Sequence, residues 1–372
     1  MKRHVFPATL LSTSLLCSLA SLAQAEVTFP ADVKPTCAVD EQTVDGWFAE
    51  GSIAANSLVM PFDSATFPAD NTNCTFYLWG AQMFLWLTSP DYGGEGMVFD
   101  GETFYDVINE GKDTDGNDVF AFEQFTGSAA NKMGLRSVKG DENIGGTGQA
   151  GGGDVLISQQ NSLTYYGIHA NESYAKYLTA QKAGKLDPPL TENFPTTMED
   201  MQQLTAIYGD LPDQDALVLE LKTSWVDAAT LKDASRYLTI QAEVPKFDRS
   251  EATSWPTDGT ETMTLALVGM HIAGTAQGHP EMIWSSFEHV DNAPNLSYNY
   301  VNESGGLALA VPDTSGVWTF FDEMPMPNLI TANGASSDSG IAAKSLGPIN
   351  VVQMNPWGLA PDDADAALAN SD

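Results

Sequence analysis

Residues Glu261 to Asn295 read ETMTLALVGMHIAGTAQGHPEMIWSSFEHVDNAPN, and this stretch decides the fold. Leu265 to Met270 carries no polar side chain and runs directly into His271. A short apolar run of this kind reads as a buried strand. Thr264 to Ala273 and Glu281 to Val290 then form an antiparallel hairpin that turns near Gln277. In that register His271 faces about Ile283 and His289 faces about Leu265. The two imidazoles stand six residues apart, or ~20 Å along the strand.

The stretch also holds His271, His279 and His289, three of the four histidines that follow residue 25, with Glu281, Glu288 and Asp291 among them. Imidazole and carboxylate suit Zn, Cu, Mn or non-haem Fe. His271, His279, Glu288 and His289 are therefore candidate ligands of a divalent metal. The hairpin spacing keeps His271 and His289 from sharing one ion, so a common site needs ligands from elsewhere, such as His169 or Glu220. The competing reading makes His271 a hydrogen-bonded core residue and His279 a loop residue. Glu288 or His289 then anchors the turn at Asp291-Asn292.

The chain opens with MKRHVFPATLLSTSLLCSLASLAQA. Lys2 and Arg3 form a positive n-region, Leu10 to Leu22 an apolar h-region, and Ala23-Gln24-Ala25 an A-x-A cleavage site. This is the pattern of a secretory signal peptide over residues 1–25. Leu16 stands before Cys17 where lipidation needs a small residue. No later stretch approaches the ~20 apolar residues of a membrane span. The expectation is a periplasmic or secreted protein of 347 residues, long enough for a large core.

Removing Lys2 and Arg3 leaves 14 cationic against 49 anionic side chains, a net charge of −35. Such a field repels nucleic acid and anionic lipid, so a nucleic-acid partner is not expected. Hydrophobic content of 43% with eight tryptophans marks a globular chain, not a disordered acidic one. Adaptation to a salty environment is the plainest account of the charge. Two cysteines follow the leader, Cys37 and Cys74. In an oxidising compartment they pair as a disulfide, stabilising by roughly 4 kcal/mol in the chain-entropy model.

Along the chain, residues 26–70 read as an irregular arm with one short element near Val44 to Phe48. CTFYLWGAQMFLWLTSP, Cys74 to Pro90, follows three N-cap residues, Asn71, Thr72 and Asn73, and ends on Ser89-Pro90. It predicts a buried helix docked on the core. Asp-Gly pairs at Asp100-Gly101 and Asp115-Gly116 predict hairpin turns between short strands. The acids around Asp113 do not make a calcium loop, because Gly116 is fourth where glycine should be sixth, and Gln124 is twelfth. Gly146, Gly148 and Gly151 match G-x-G-x-x-G by chance, since no strand-to-helix context surrounds them.

Residues 154–170 alternate like two strands joined near Gln160-Asn161, with His169 near the end of the second. A helix over Glu172 to Lys182 is capped by Asn171, and Thr197 to Tyr208 is helical. Ala216 to Trp225, Tyr237 to Val244, Gly306 to Val311, Val317 to Phe321 and Ile349 to Met354 read as strands. Glu220 and Lys222 share one face of theirs, as an ion pair or a solvated edge. Residues 361–372 form an acidic mobile tail. A G-x-S-x-G nucleophile elbow is lacking.

Three motifs carry a resemblance: WGAQMFLWLTSP (Trp79 to Pro90), LELKTSW (Leu219 to Trp225), and VGMHI with HPEMIWSSFEHVDNAP (Val268 to Pro294). Together they resemble an uncharacterised family of exported bacterial proteins. Some members are associated with c-type cytochromes and carry a C-x-x-C-H haem attachment. The resemblance implies export and a link to redox chemistry. This chain has no C-x-x-C-H, so covalent haem is not expected.

The sequence therefore predicts a β-rich α+β fold: a large, mostly antiparallel sheet with a few packed helices, in a single domain over residues 26–360. The functional expectation is an exported binding or accessory protein. The alternative is a metalloenzyme built on the 271–291 block.

Overall fold

The apolar run of the central stretch becomes the middle of a strand of 23 residues, Ser254–Ala276. The computed structural model describes residues 27, 29–48, 57–69, 72–91, 96–112, 118–124, 156–311, 314–323, 334–337, 340–343 and 347–353. The signal peptide, the Asp115-Gly116 turn, the glycine-rich loop and the acidic tail lie outside the described residues.

In chain order the elements are α1 (Glu41–Asp45), α2 (Asn73–Leu87), β1 (Phe104–Lys112), β2 (Asp118–Gln124), β3 (Tyr165–Asn171), α3 (Glu172–Lys182), α4 (Met198–Tyr208), β4 (Leu219–Asp227), β5 (Thr239–Phe247), β6 (Ser254–Ala276), β7 (His279–Glu288), β8 (Tyr298–Val301), β9 (Leu307–Ala310), β10 (Gly334–Ser337) and β11 (Gly340–Ala343). Nine strands form one sheet along the order β10-β11-β6-β4-β3-β1-β2, with β5 and β7 also paired to β6. Its strand pairings are antiparallel throughout. Strands β8 and β9 make a separate ribbon. The β-rich α+β architecture expected from the sequence is the one observed.

Strand β6 is the spine. Along one edge it pairs with β4 over Leu265–Gly274 and with β11 over Ser254–Pro256. The other edge is divided: β5 takes residues up to Ala266, and β7 takes residues from Gly269 onward. Val268 sits at the division. Ser224 pairs with Gly269 and Trp225 with Leu267, so Val268 is an extra residue, a β-bulge.

The hairpin between β6 and β7 turns at Gln277-Gly278 as expected, but its register differs. A second irregularity between Gly274 and Ala276 places His271 opposite Ser286, not Ile283. The His289 amide bonds to the Val268 carbonyl, not near Leu265. Hydrophobic pattern fixes which face a residue takes; here Thr275 alone stands against Pro280 to Met282, and two added residues shift the partners without flipping the faces.

Helix α2 covers one face of the sheet. Thr72 caps it by accepting from the Thr75 amide at 3.3 Å, and no proline or β-branched run interrupts it. Trp79, Met83, Trp86 and Leu87 are fully buried and share a core with Leu219, Leu221, Trp225, Met270 and Ile272. Each such side chain contributes roughly 1.5–3 kcal/mol on burial. Phe84 stacks on Phe287 of β7, ring centroids 4.2 Å apart. The close approach falls at Gly80, where an added Cβ would lie 2.9 Å from the Ser285 Cβ.

The opposite face is covered at its two ends. Helices α3 and α4 pack over Ala170, Leu217 and Val218 at one end. Asn171 caps α3 by accepting from the Tyr174 amide at 3.0 Å; it also donates to the Leu217 carbonyl at 2.7 Å and accepts from the Leu219 amide at 3.0 Å, which ties the helix to the start of β4. Thr197 and Asp200 start α4 with a reciprocal capping box. At the other end Val226, Ala266 and Val268 pack with Tyr237, Phe320 and Ile349.

Three further expectations are corrected. The Asp100-Gly101 pair closes a 3-10 turn over Val98–Asp100, not a hairpin. Residues 156–164 give one bridge, Ile157 to Leu163, not a full strand. Val317 to Phe321 and Ile349 to Gln353 form irregular backbone pairings without a strand, because their apolar side chains fill core clusters from coil.

Cys37 and Cys74 are disulfide-bonded, with Cα atoms 5.2 Å apart. The bond ties the N-terminal arm to the first turn of α2. Replacing both cysteines by serine should lower the unfolding free energy by roughly 4 kcal/mol, read from guanidinium titrations. Gly80→Val should cost about 1–3 kcal/mol through overpacking against β7, with the urea midpoint as the readout.

Candidate functional site

Between the two apolar ends of the face opposite α2 lies a belt of polar side chains. Period-two alternation places Tyr166 and Ile168 of β3, Glu220, Lys222 and Ser224 of β4, Gly269 and His271 of β6, and Trp284, Ser286 and Glu288 of β7 on that face. The registers align them in three rows. Trp284, Ala273, Glu220 and Ala170 form one row; Ser286, His271, Lys222 and Ile168 the next; Glu288, Gly269, Ser224 and Tyr166 the third.

Within the belt, His271 Nδ1 is 2.6 Å from Ser286 Oγ. Among the described residues nothing is hydrogen-bonded to its Nε2. The Lys222 ammonium lies 5.3 Å from the centre of the Tyr166 ring. The Tyr166 hydroxyl is buried without a hydrogen-bond partner. Tyr174 of α3 donates to Glu220 Oε2 at 3.3 Å. Ser224 donates to the Gly269 carbonyl at 3.2 Å. Trp284, 47% exposed, is the only exposed tryptophan among the described residues.

The partial burial of the belt sets its electrostatics. Removal from water pushes the Glu220 carboxyl up to about 7, against the weaker opposing pull of the Tyr174 hydrogen bond and Lys222. Desolvation lowers the Lys222 ammonium, and Glu220 partly restores it. His271 is lowered by desolvation first and by the Lys222 charge second, so its imidazole stays neutral at neutral pH. Desolvation also raises Glu288 and Tyr166. The belt therefore combines an amine, two carboxyl groups of which Glu220 titrates near 7, a neutral imidazole and several hydroxyls.

The four candidate metal ligands do not share this setting. His271 and Glu288 stand in the belt, in adjacent rows of adjacent strands. His279 opens β7 instead of lying in a loop. Its Nδ1 is 3.0 Å from Glu281, and its ring meets Phe67 and Phe76 edge-on on the α2 side. His289 stacks on Tyr237 with ring centroids 3.6 Å apart. It accepts from the Asp291 amide through Nδ1, so Nε2 carries the hydrogen donated to the Arg236 carbonyl at 3.1 Å.

His289 thus anchors the turn at Asp291, whose buried carboxylate also meets Arg236 at 3.2 Å and the Tyr237 hydroxyl at 3.2 Å. Three register positions separate His271 from His289, ~10 Å along the strand. Among the described residues no group of three or more His, Cys, Asp or Glu is gathered for a metal ion.

Of the more distant residues considered as ligands, Glu220 does join His271 in the belt, whereas His169 lies on the other face. His169 is 2% exposed and meets Asp106 at 3.0 Å through Nδ1. Its Nε2 approaches Thr223 Oγ1, which accepts from Trp225 Nε1 at 2.8 Å. Burial pushes the neighbouring Asp100 up to about 7, against the pull of His169. With Thr223 fully buried, this set braces the core. Tyr166, Ser224, Trp284 and Ser286 escaped the sequence reading. The period-two alternation of their strands was the available signal, but it does not say which strands adjoin.

No family model, curated protein or solved structure matches the chain. The site must be read from its own geometry.

Lys222→Met should raise the His271 pKa by removing the neighbouring cation, as followed by imidazole NMR titration. Glu220 has a folded pKa raised above its unfolded value of about 4.5, so ionising it disfavours the fold. Stability should fall as pH rises from about 4.5 through about 7. In Glu220→Gln that loss should shrink by on the order of 2 kcal/mol, measured by denaturation across the pH range.

Proposed function

We propose that this chain is an exported, periplasmic or secreted, binding protein whose ligand sits on the polar belt around His271 and Lys222. The observation that supports this reading most directly is the Tyr166 hydroxyl, buried and without a partner beside Lys222. Buried polar groups are almost always satisfied, and an orphan calls for a water, an ion or a ligand. The open Nε2 of His271 is a second group waiting on the same face.

A binding role fits the rest of the belt better than a catalytic one. The Ser286–His271 pair resembles a nucleophile with its base, but among the described residues no carboxylate is hydrogen-bonded to Nε2 to orient the ring. A metalloenzyme on His271, His279, Glu288 and His289 would need His279 and His289 to abandon the partners that hold them. The disulfide is consistent with an oxidising compartment, and thereby with export.

A thermal-shift screen of the protein against amino acids, sugars, carboxylates, nucleosides and divalent metals tests the proposal. A true ligand at a hundredfold excess over its Kd stabilises by about 2.7 kcal/mol. That shift should vanish in a Lys222→Met/His271→Gln variant with unchanged circular dichroism. Hits that ignore both substitutions would overturn the proposal. One divalent metal per chain, lost with His271, would favour the metalloenzyme.

A further inference from the structure

We infer that the ligand of the belt is a neutral, polyhydroxylated ring, a sugar unit of an oligosaccharide, stacked on Trp284 and hydrogen-bonded to His271 and its neighbours. This inference rests on the binding reading and names its ligand class.

Charge narrows the choice first. A cationic ligand would meet the Lys222 ammonium and an anionic one would meet Glu288 and Glu220, in a chain whose formal net charge is −33. Each sign would meet a like charge as well as an opposite one in the belt, so a singly charged ligand gains little there. A neutral hydroxyl both donates and accepts, and so suits either tautomer of His271 at Nε2, the orphan Tyr166 hydroxyl and the Ser286 hydroxyl.

Trp284 supplies the second requirement, an apolar plane at the rim of a polar patch. Small-ligand sites combine aromatic surface with a few placed polar groups, and an indole presents a large apolar face with little conformational entropy to lose. The other tryptophans in the core, Trp79, Trp86, Trp225, Trp255 and Trp318, are buried. Trp284 projects opposite the small side chain of Ala273, two residues from Ser286 and thus about 7 Å along the strand. That span matches one ring lying on the indole and reaching the Ser286–His271 pair.

The backbone two residues before Trp284 is distorted, within the register irregularity of the hairpin. Met282 adopts φ 67° inside β7, a left-handed conformation rare for a side chain of its size. Strain of this kind concentrates at ligand-binding sites. Among the described residues strand β7 pairs only with β6, which puts Trp284 on an edge of the described sheet.

Isothermal titration and tryptophan emission with maltohexaose, cellohexaose, laminarihexaose and xylohexaose test the inference, with an oligogalacturonate and a chitosan oligomer as charged counterparts. At least one neutral saccharide should bind and shift the emission. Trp284→Ala should weaken it about tenfold, and Trp284→Tyr should recover most of the loss, with circular dichroism unchanged in both. No neutral saccharide binding at about 10 mM, or binding indifferent to Trp284→Ala, overturns the inference. A charged oligomer that depends on Lys222 and His271 but not on Trp284 overturns the ligand class and leaves the belt as the binding site. A saccharide bound without dependence on Lys222 or His271 removes the belt itself.

Discussion

A strand of 23 residues has backbone donors and acceptors on both edges, and nearly all of them must find partners once it is buried. This constraint organises the protein. Strands β4 and β11 satisfy one edge of β6, and β5 and β7 divide the other. The division falls at the Val268 bulge, where the ladder to β4 also shifts. The two halves of β6 therefore serve different neighbourhoods: one leads to the apolar cluster at Val226 and Phe320, the other to the polar belt.

Packing on the two faces follows from that spine. The α2 face is sealed by tryptophans and by the approach at Gly80, and its polar groups, His169 with Asp106 and Thr223, are bonded inward. Among the described residues the opposite face is sealed at its ends, by α3 and α4 and by the Tyr237 cluster. The half-buried strip between them desolvates Glu220, Lys222 and His271 without removing them from reach. Shifted ionisation on a partly exposed surface marks the strip as a candidate site. Asp291, by contrast, is a fully buried group that pairs with Arg236 and accepts from the Tyr237 hydroxyl, bracing the turn beside His289.

Much of the architecture was legible along the chain, because it depends on local chemistry. The helix after Thr72, the Asn171 cap, the Thr197 start and the hairpin at Gln277 follow from side chains a few residues apart. The cysteine pairing followed from there being two such residues after residue 25. The candidate site was legible only in part. His271 and Glu288 belong to it, as does Glu220. His279 and His289 had drawn attention by proximity in sequence, and each is held in a separate structural role.

By itself the sequence determined the acidic charge, the β-rich class and which residues alternate onto which face of each strand. Those properties belong to composition and to a period of two. Only the tertiary structure decided that β3, β4, β6 and β7 lie side by side, and that bulges move Ser286 opposite His271. Strand order and register come from long-range backbone pairing, and a bulge of one residue changes every partner beyond it. The belt of Tyr166, Lys222, His271 and Trp284 exists only through that pairing, since these side chains come from four segments of the chain.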